Sequence, residues 1–160
     1  MRYRLHLTLA TVALVAVMAF LAYGGIRQQS HPSSFTIGNS TFDFTAYAFN
    51  SSSQLHGLMN TTVTNSTLML FGFGAPGVYP FWMKDTYYPL DIFWIYSQSG
   101  IHGRIVYEVE AAPCVSYDPS QSSCLQYTPP AEANYVVEAP AGFLRAHNVT
   151  QYENVTFRFS

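Results

Sequence analysis

Residues 92–96, Ile-Phe-Trp-Ile-Tyr, place a large side chain at every position of a short run that Pro89-Leu90-Asp91 precedes and Ser-Gln-Ser-Gly (97–100) ends. Successive side chains of a strand point to opposite faces. This run therefore leaves no face for water and reads as a central strand buried on both sides. A fold built around it must cover both faces of a sheet with apolar material, and the sequence supplies that material in short pieces. In "TFDFTAYAF" (41–49), Phe42, Phe44, Ala46 and Ala48 share one face of a period-two pattern. "LMLFGFG" (68–74) is an apolar run bounded by Gly and Pro. "RIVYEVEA" (104–111) alternates Ile105, Tyr107 and Val109 against Val106, Glu108 and Glu110, which predicts one wet face. "NYVVEA" and "ENVTFRF" add two more strands. "NSSSQ" (50–54) reads as an interruption, "LHGLM" as a possible single helical turn, and "PAGFLRAHN" as a short helix with Pro140 near its start and Asn148 near its end. Residues 111–130 read as a long loop. Six or seven short strands with one or two short helices predict a mainly β, antiparallel sandwich or barrel.

The chain has 160 residues, 49% hydrophobic and 10% charged, which is enough for one core and too short for two ordinary domains. The remainder is an N-terminal appendage. Between Arg4 and Arg27 there is no Asp, Glu, Lys or Arg, and the 22 uncharged residues span about 33 Å as a helix, enough for a bilayer core of about 30 Å. Residues 1–27 are therefore expected to be a single-pass transmembrane signal-anchor, or a cleaved signal peptide, since Ala22-Tyr23-Gly24 offers small residues for cleavage. The arginines before the segment set the N-terminus in the cytoplasm. Residues 28–34 read as a polar linker and residues 35–160 as an extracytoplasmic domain tethered to the cell membrane, or secreted if the segment is removed. Two further features agree with that address. Asn-x-Ser/Thr glycosylation sequons occur at Asn39, Asn50, Asn60, Asn65, Asn148 and Asn154. The two cysteines, Cys114 and Cys124, read as a disulfide closing an 11-residue loop, for which chain entropy gives roughly 2.8 kcal/mol.

Beyond the N-terminal segment there are four basic and nine acidic residues, a net charge of −5. Nucleic acid, which demands clustered positive charge, is an unsuited partner. The histidines fall in separate segments (His56, His102, His147) with no metal-ligand spacing, so no metal or cofactor is expected. Neither a nucleophile elbow nor a phosphate loop is present.

"HGLM" (56–59), "LMLFGF" (68–73), "FWMKDTYYPLDIFWI" (81–95), Pro113-Cys114 with Cys124, and "VVEAPAGF" (136–143), in that order, resemble the DUF192 family of uncharacterised ACR proteins. The family pattern runs approximately R-G-L-M, G-M-L-F-x-F, F-W-M-K-N-T-x-x-P-L-D-I-x-F, P-C and L-E-L-x-A-G. The resemblance covers about residues 42–157 and implies a jelly-roll-like β sandwich, without implying an activity. This chain departs from the pattern at His56, where Arg is usual, at Asp85, where Asn is usual, and at "TQYEN" before the last strand.

Lys84 is the only lysine. Its stem can lie on Trp82 or Tyr87 while the ammonium stays wet, which makes a positive tip on an aromatic rim, suited to an anionic or sugar ligand. Trp82, Lys84, Asp85, Tyr87, Asp91 and His56 are the ligand-binding candidates, and no residue is assigned as catalytic. In a continuous strand Asp85 and Asp91 stand about 20 Å apart, too far for a catalytic pair unless the chain reverses at Tyr87-Tyr88-Pro89. The expected function is a non-enzymatic ligand-binding or accessory module of the cell envelope, with a glycan or a membrane-complex protein as partner. The alternative is an extracytoplasmic hydrolase acting on envelope polymer through Lys84, Asp85, Asp91 and His56.

Overall fold

A computed structural model describes residues 31–115 and 124–159. Ten strands and two short helices follow in the order β1 (Pro32–Ile37), β2 (Ser40–Asp43), β3 (Ala46–Ala48), α1 (Ser51–His56), β4 (Met69–Gly77), β5 (Phe81–Trp82), β6 (Leu90–Tyr96), β7 (His102–Ala111), β8 (Gln126–Tyr127), β9 (Ala133–Pro140), α2 (Phe143–Ala146) and β10 (Asn154–Phe159). Eight strands form one sheet in the order β2-β1-β10-β7-β6-β9-β4-β3, and β5 pairs with β8 in a separate two-stranded ribbon. As expected of the run at 92–96, β6 is central. It is buried from Leu90 to Ile95 and pairs with β7 on one side and β9 on the other.

The mainly β reading holds, but the two-sheet, all-antiparallel sandwich does not. The edge strands β2 and β3 are consecutive in the chain, with only Phe44 and Thr45 between them. The sheet must curl until its edges meet there. Phe44 N–H donates to Ser33 O at 3.0 Å, and Thr45 N–H donates to Leu68 O at 2.9 Å. The expected single strand at 41–49 is thus split between opposite edges of the sheet, although its alternation survives: Phe44 and Ala48 are buried while Thr45 and Tyr47 are exposed. β3 also runs parallel to β4. A parallel pair needs a long crossover, and residues 49–68 provide it, carrying α1 and the "HGLM" loop across the outside of the sheet.

Two apolar cores follow from the pleat. Phe93 and Ile95 of β6, Val137 and Ala139 of β9, and Leu70 of β4 point into the curl, where Phe35, Phe44, Val155 and Phe157 meet them. Leu90, Ile92 and Trp94, with Val136, Met69 and Phe71, point outward and are covered by Leu58, Phe81 and Met83.

Other expectations shift for local reasons. Residues 32–34, read as linker, begin β1, with Pro32 and Ser34 buried against β10. In β7 the register slips between Trp94 and Ile95, so one β7 residue is extra. Ile105 then faces the inner core while Val106, Tyr107 and Val109 all pack on the outer one, so Val106 leaves the predicted wet face, of which Glu110 stays exposed and Glu108 half-buried. The "NSSSQ" break is largely α1: Ser53 N–H donates to Asn50 Oδ1 at 2.9 Å and Asn50 N–H to Ser53 Oγ at 3.3 Å, a reciprocal cap that builds a helix without apolar periodicity. Pro140 ends β9 rather than starting α2. The loop at 111–130 contains β8. Among the described residues no helix is long and apolar enough to cross a membrane. The expected anchor at 1–27 lies outside them.

Candidate functional site

Phe81 to Lys84 alternate strictly, with Phe81 and Met83 buried and Trp82 and Lys84 exposed. The inward pair feeds the outer core, where Phe81 packs edge-on to Phe71 (4.8 Å) and Trp94 (5.5 Å). The outward pair forms a rim, with Lys84 Nζ 5.7 Å from the Trp82 ring and 4.0 Å from Asp85 Oδ2. A turn then reverses the chain. Thr86 N–H donates to Met83 O at 3.0 Å, and Asp85 takes a left-handed φ of 52°. Asn60 N–H donates to Asp85 O at 2.8 Å, and Tyr87 Oη donates to Asn60 Oδ1 at 2.9 Å. The disulfide Cys114–Cys124, with a Cα–Cα distance of 5.8 Å, supports this rim from behind. Cys114 bridges Lys84 and Thr86, and the chain beyond Cys124 supplies Gln126 and Tyr127 to pair with Trp82 and Phe81.

Beside Trp82 lies a groove of about 450 Å³ lined by Gln54, Leu55, Phe73, Tyr79, Phe81 and Gln126, among others. Phe73 and Tyr79 stack at 3.7 Å and 10°. Trp94 Nε1–H anchors the Tyr79 backbone by donating to its carbonyl at 2.8 Å. The register of β4 against β9 breaks between Gly72 and Gly77, which frees Phe73 and its neighbours from the ladder to make this wall.

Next to the groove, and sharing Gln54, Leu55, Phe81 and Trp82 with it, is a notch of about 20 Å³ that also touches His56, Gly57, Met59, Thr86 and Glu138. Glu138 was not legible as a site residue. It sits on the outer face of β9 between Met69 of β4 and Ile92 of β6, 4% exposed. Burial raises its carboxyl to about 8, opposed only by a hydrogen bond from the Leu58 N–H, and its Oε2 has no partner. The one sequence signal was an acid inside the apolar run Val136-Val137-Glu138-Ala139. Gly57 lies against it, and its backbone, more than space, asks for glycine. Its φ of 52° and ψ of −133° belong to glycine, and a Cβ there would lie 3.4 Å from Phe71 Cζ and 3.6 Å from Glu138 Oε2.

The structure thus gathers His56, Trp82, Lys84, Asp85 and Tyr87 around one rim and leaves Asp91 out. Asp91 shares the inner face of β6 with Phe93 and Ile95. There it is 2% exposed and accepts the Leu144 N–H at 2.8 Å, tying α2 to the sheet. Burial raises its carboxyl above the usual range, against the bonds from Leu144 and Gly142. All six sequon asparagines are exposed. Among the described residues no three His, Cys, Asp or Glu side chains are placed to hold a metal.

One curled eight-stranded sheet with a short ribbon and two short helices defines a mainly β domain, and sequence comparison narrows it to a family. Residues 35–157 match the DUF192 model, described as uncharacterized ACR, and the chain belongs to that family. No curated protein matches it. Among solved structures it is similar to a proposed transcription regulator from Sinorhizobium meliloti, at 25% identity and a TM-score of 0.62, over 80% of this chain and 95% of that one. It is also similar to a protein of unknown function from Novosphingobium aromaticivorans, at 21% identity and a TM-score of 0.62, over 81% and 88% of the two chains.

Proposed function

We propose that this chain is a membrane-tethered, extracytoplasmic binding module of the cell envelope, and that its ligand or partner lies in the groove beside Trp82. The observation that carries the reading is a 450 Å³ groove with stacked Phe73–Tyr79 on its wall and Trp82, 40% exposed, on its rim. Aromatic bodies with polar tips are the usual anchors of ligand and protein recognition. Gln54 and Gln126 add amides at the edge. Extracytoplasmic placement rests on the uncharged segment at 5–26, the six sequons and the disulfide. Transcription regulation is not carried over from the S. meliloti protein, because a domain of net charge −5 is a poor match for nucleic acid.

The hydrolase alternative is less supported. It needs at least three of Lys84, Asp85, Asp91 and His56 in one cleft with their reacting groups within hydrogen-bond reach; Lys84 and Asp85 stand 4.0 Å apart, and Asp91 faces the opposite side of the sheet, bonded to the Leu144 N–H. Copurification of the native protein from its membranes, with wild type and Trp82→Ala compared, tests the binding reading. A partner or glycan that is retained by wild type and lost with Trp82→Ala is the expected result. A wild-type protein that runs alone and binds no glycan rejects it.

A further inference from the structure

The geometry points to the Glu138 notch as the subsite that takes the primary ammonium of a lysine side chain, presented by a partner polypeptide whose neighbouring residues lie in the aromatic groove. This inference rests on the groove being the binding surface and adds the chemistry of its occupant.

Three observations lead to it. First, the notch offers an acceptor, and several of its neighbouring donors are already occupied. Glu138 Oε2 is buried without a partner. Leu58 N–H already serves Glu138, Thr86 Oγ1 donates to Lys84 O at 3.3 Å, and Gln54 Nε2 donates to Gly72 O at 2.8 Å. What enters must therefore donate. Second, the space of about 20 Å³ admits a group the size of one water or one ammonium and no ring. A linear stem fits it, and a sugar ring does not. Third, the charges complement a cation. Glu138 is flanked by Met69 and Ile92 on the adjacent strands and by Phe71, Leu58 and Gly57 above, and none of these is charged. The titratable groups at the rim are His56 and the Lys84–Asp85 pair, and in that pair the lysine already has its own acid. Once it ionises, Glu138 is the charge left without a partner at the site, the opposite of the anion-binding tip expected from Lys84. Phe71, Phe81 and Trp82 are the aromatic residues that line the notch, and aromatic rings can attract a cation.

Binding is proton-linked. The Glu138 carboxylic acid releases its proton to solvent, the carboxylate takes the incoming ammonium, and no covalent bond changes. Because burial holds that proton up to about pH 8, affinity for the ammonium should rise about tenfold per pH unit toward pH 8 and level off above it.

The test uses the full chain and three probes: Nα-acetyl-lysine amide, Nα-acetyl-norleucine amide, which has the stem without the ammonium, and glucosamine. Binding is read by Trp82 fluorescence and chemical-shift titration from pH 5.5 to 8.5. The expected result is a preference for lysine over norleucine that grows with pH, survives in His56→Gln and disappears in Glu138→Gln, while norleucine binding is the same in all three proteins. Equal binding of lysine and norleucine at pH 8.5 overturns the notch assignment and leaves the groove reading standing. Preferred binding of glucosamine that depends on Glu138 overturns the lysine source. If no probe perturbs Trp82, the groove and the notch fall together.

Discussion

Glu138→Gln isolates one buried ionisation and should change how stability depends on pH. In the folded protein the carboxyl is raised from 4.5 to about 8 by burial. A raised acid binds its proton more tightly folded than unfolded, so its stabilising contribution is fully present below pH 4.5. It is lost as pH rises through about 8 and is constant beyond. At about 1.36 kcal/mol per pH unit the interval amounts to about 5 kcal/mol. Glutamine keeps an acceptor for the Leu58 N–H and has nothing to titrate, at the cost of an unpaired buried amide N–H, about 1–3 kcal/mol. The variant should therefore be slightly less stable than wild type at pH 5 and more stable, by a few kcal/mol, at pH 8.5. Chemical denaturation at several pH values, followed by tryptophan fluorescence, gives the difference directly. Asp91 and Glu108, also raised by burial, contribute equally to both proteins and cancel. Two stability curves that run parallel from pH 5 to 8.5 would show that Glu138 is not held protonated, and the account of the notch would fail with it.

Phe93→Ala removes a fully buried ring from the inner core and should cost about 3–5 kcal/mol, whereas Lys84→Ala, with its ammonium in water, should cost about 1 kcal/mol or less; thermal melts of the two compare them directly. Asp91→Ala leaves the Leu144 N–H without its acceptor and should cost about 1–3 kcal/mol, with faster amide exchange at Leu144 as the local signature. Replacing both Cys114 and Cys124 by Ser should cost about 2.8 kcal/mol by loop-closure entropy. Because Cys114 bridges the Lys84–Thr86 turn, the same variant should make Trp82 more accessible to a soluble quencher; unchanged quenching would mean that the disulfide does not hold the rim.

The elements that could be read from the sequence were those whose local pattern is decided by burial alone. β6 is apolar toward both faces, and only a central strand has both faces covered. The alternation from Phe81 to Lys84 is likewise local, and it put Trp82 and Lys84 on the same side before any fold was known. β1 was missed because Pro32-Ser33-Ser34 looks polar; it is a strand because β10 pairs with it. α1 was expected a few residues late, as a turn at 55–59, because its cap is made by Asn50 and Ser53 side chains and its length by nothing apolar. The extra residue in β7 is fixed by its pairing with β6, and a one-residue slip moves every later side chain to the other face.

The candidate site divides in the same way. Sequence marked the rim, since a lone lysine beside a tryptophan stands out in any context. It also misplaced Asp91, which lies only four residues after Tyr87 of the rim but whose side chain the pleat turns to the inner face. It passed over Glu138, an acid that is ordinary in a strand with one wet face. By itself, then, the sequence determined that the domain is β, that β6 lies at its centre and that Trp82 and Lys84 point outward, because these depend on residues within a few positions of one another. Only the tertiary structure decided that the sheet curls until β2 and β3 meet. It also decided that the crossover lays Gly57 and Leu58 over Glu138, and that this leaves one carboxylate oxygen buried with no donor. Those outcomes depend on which distant strands exchange hydrogen bonds, and strand pairing has no period that a chain can display along its length.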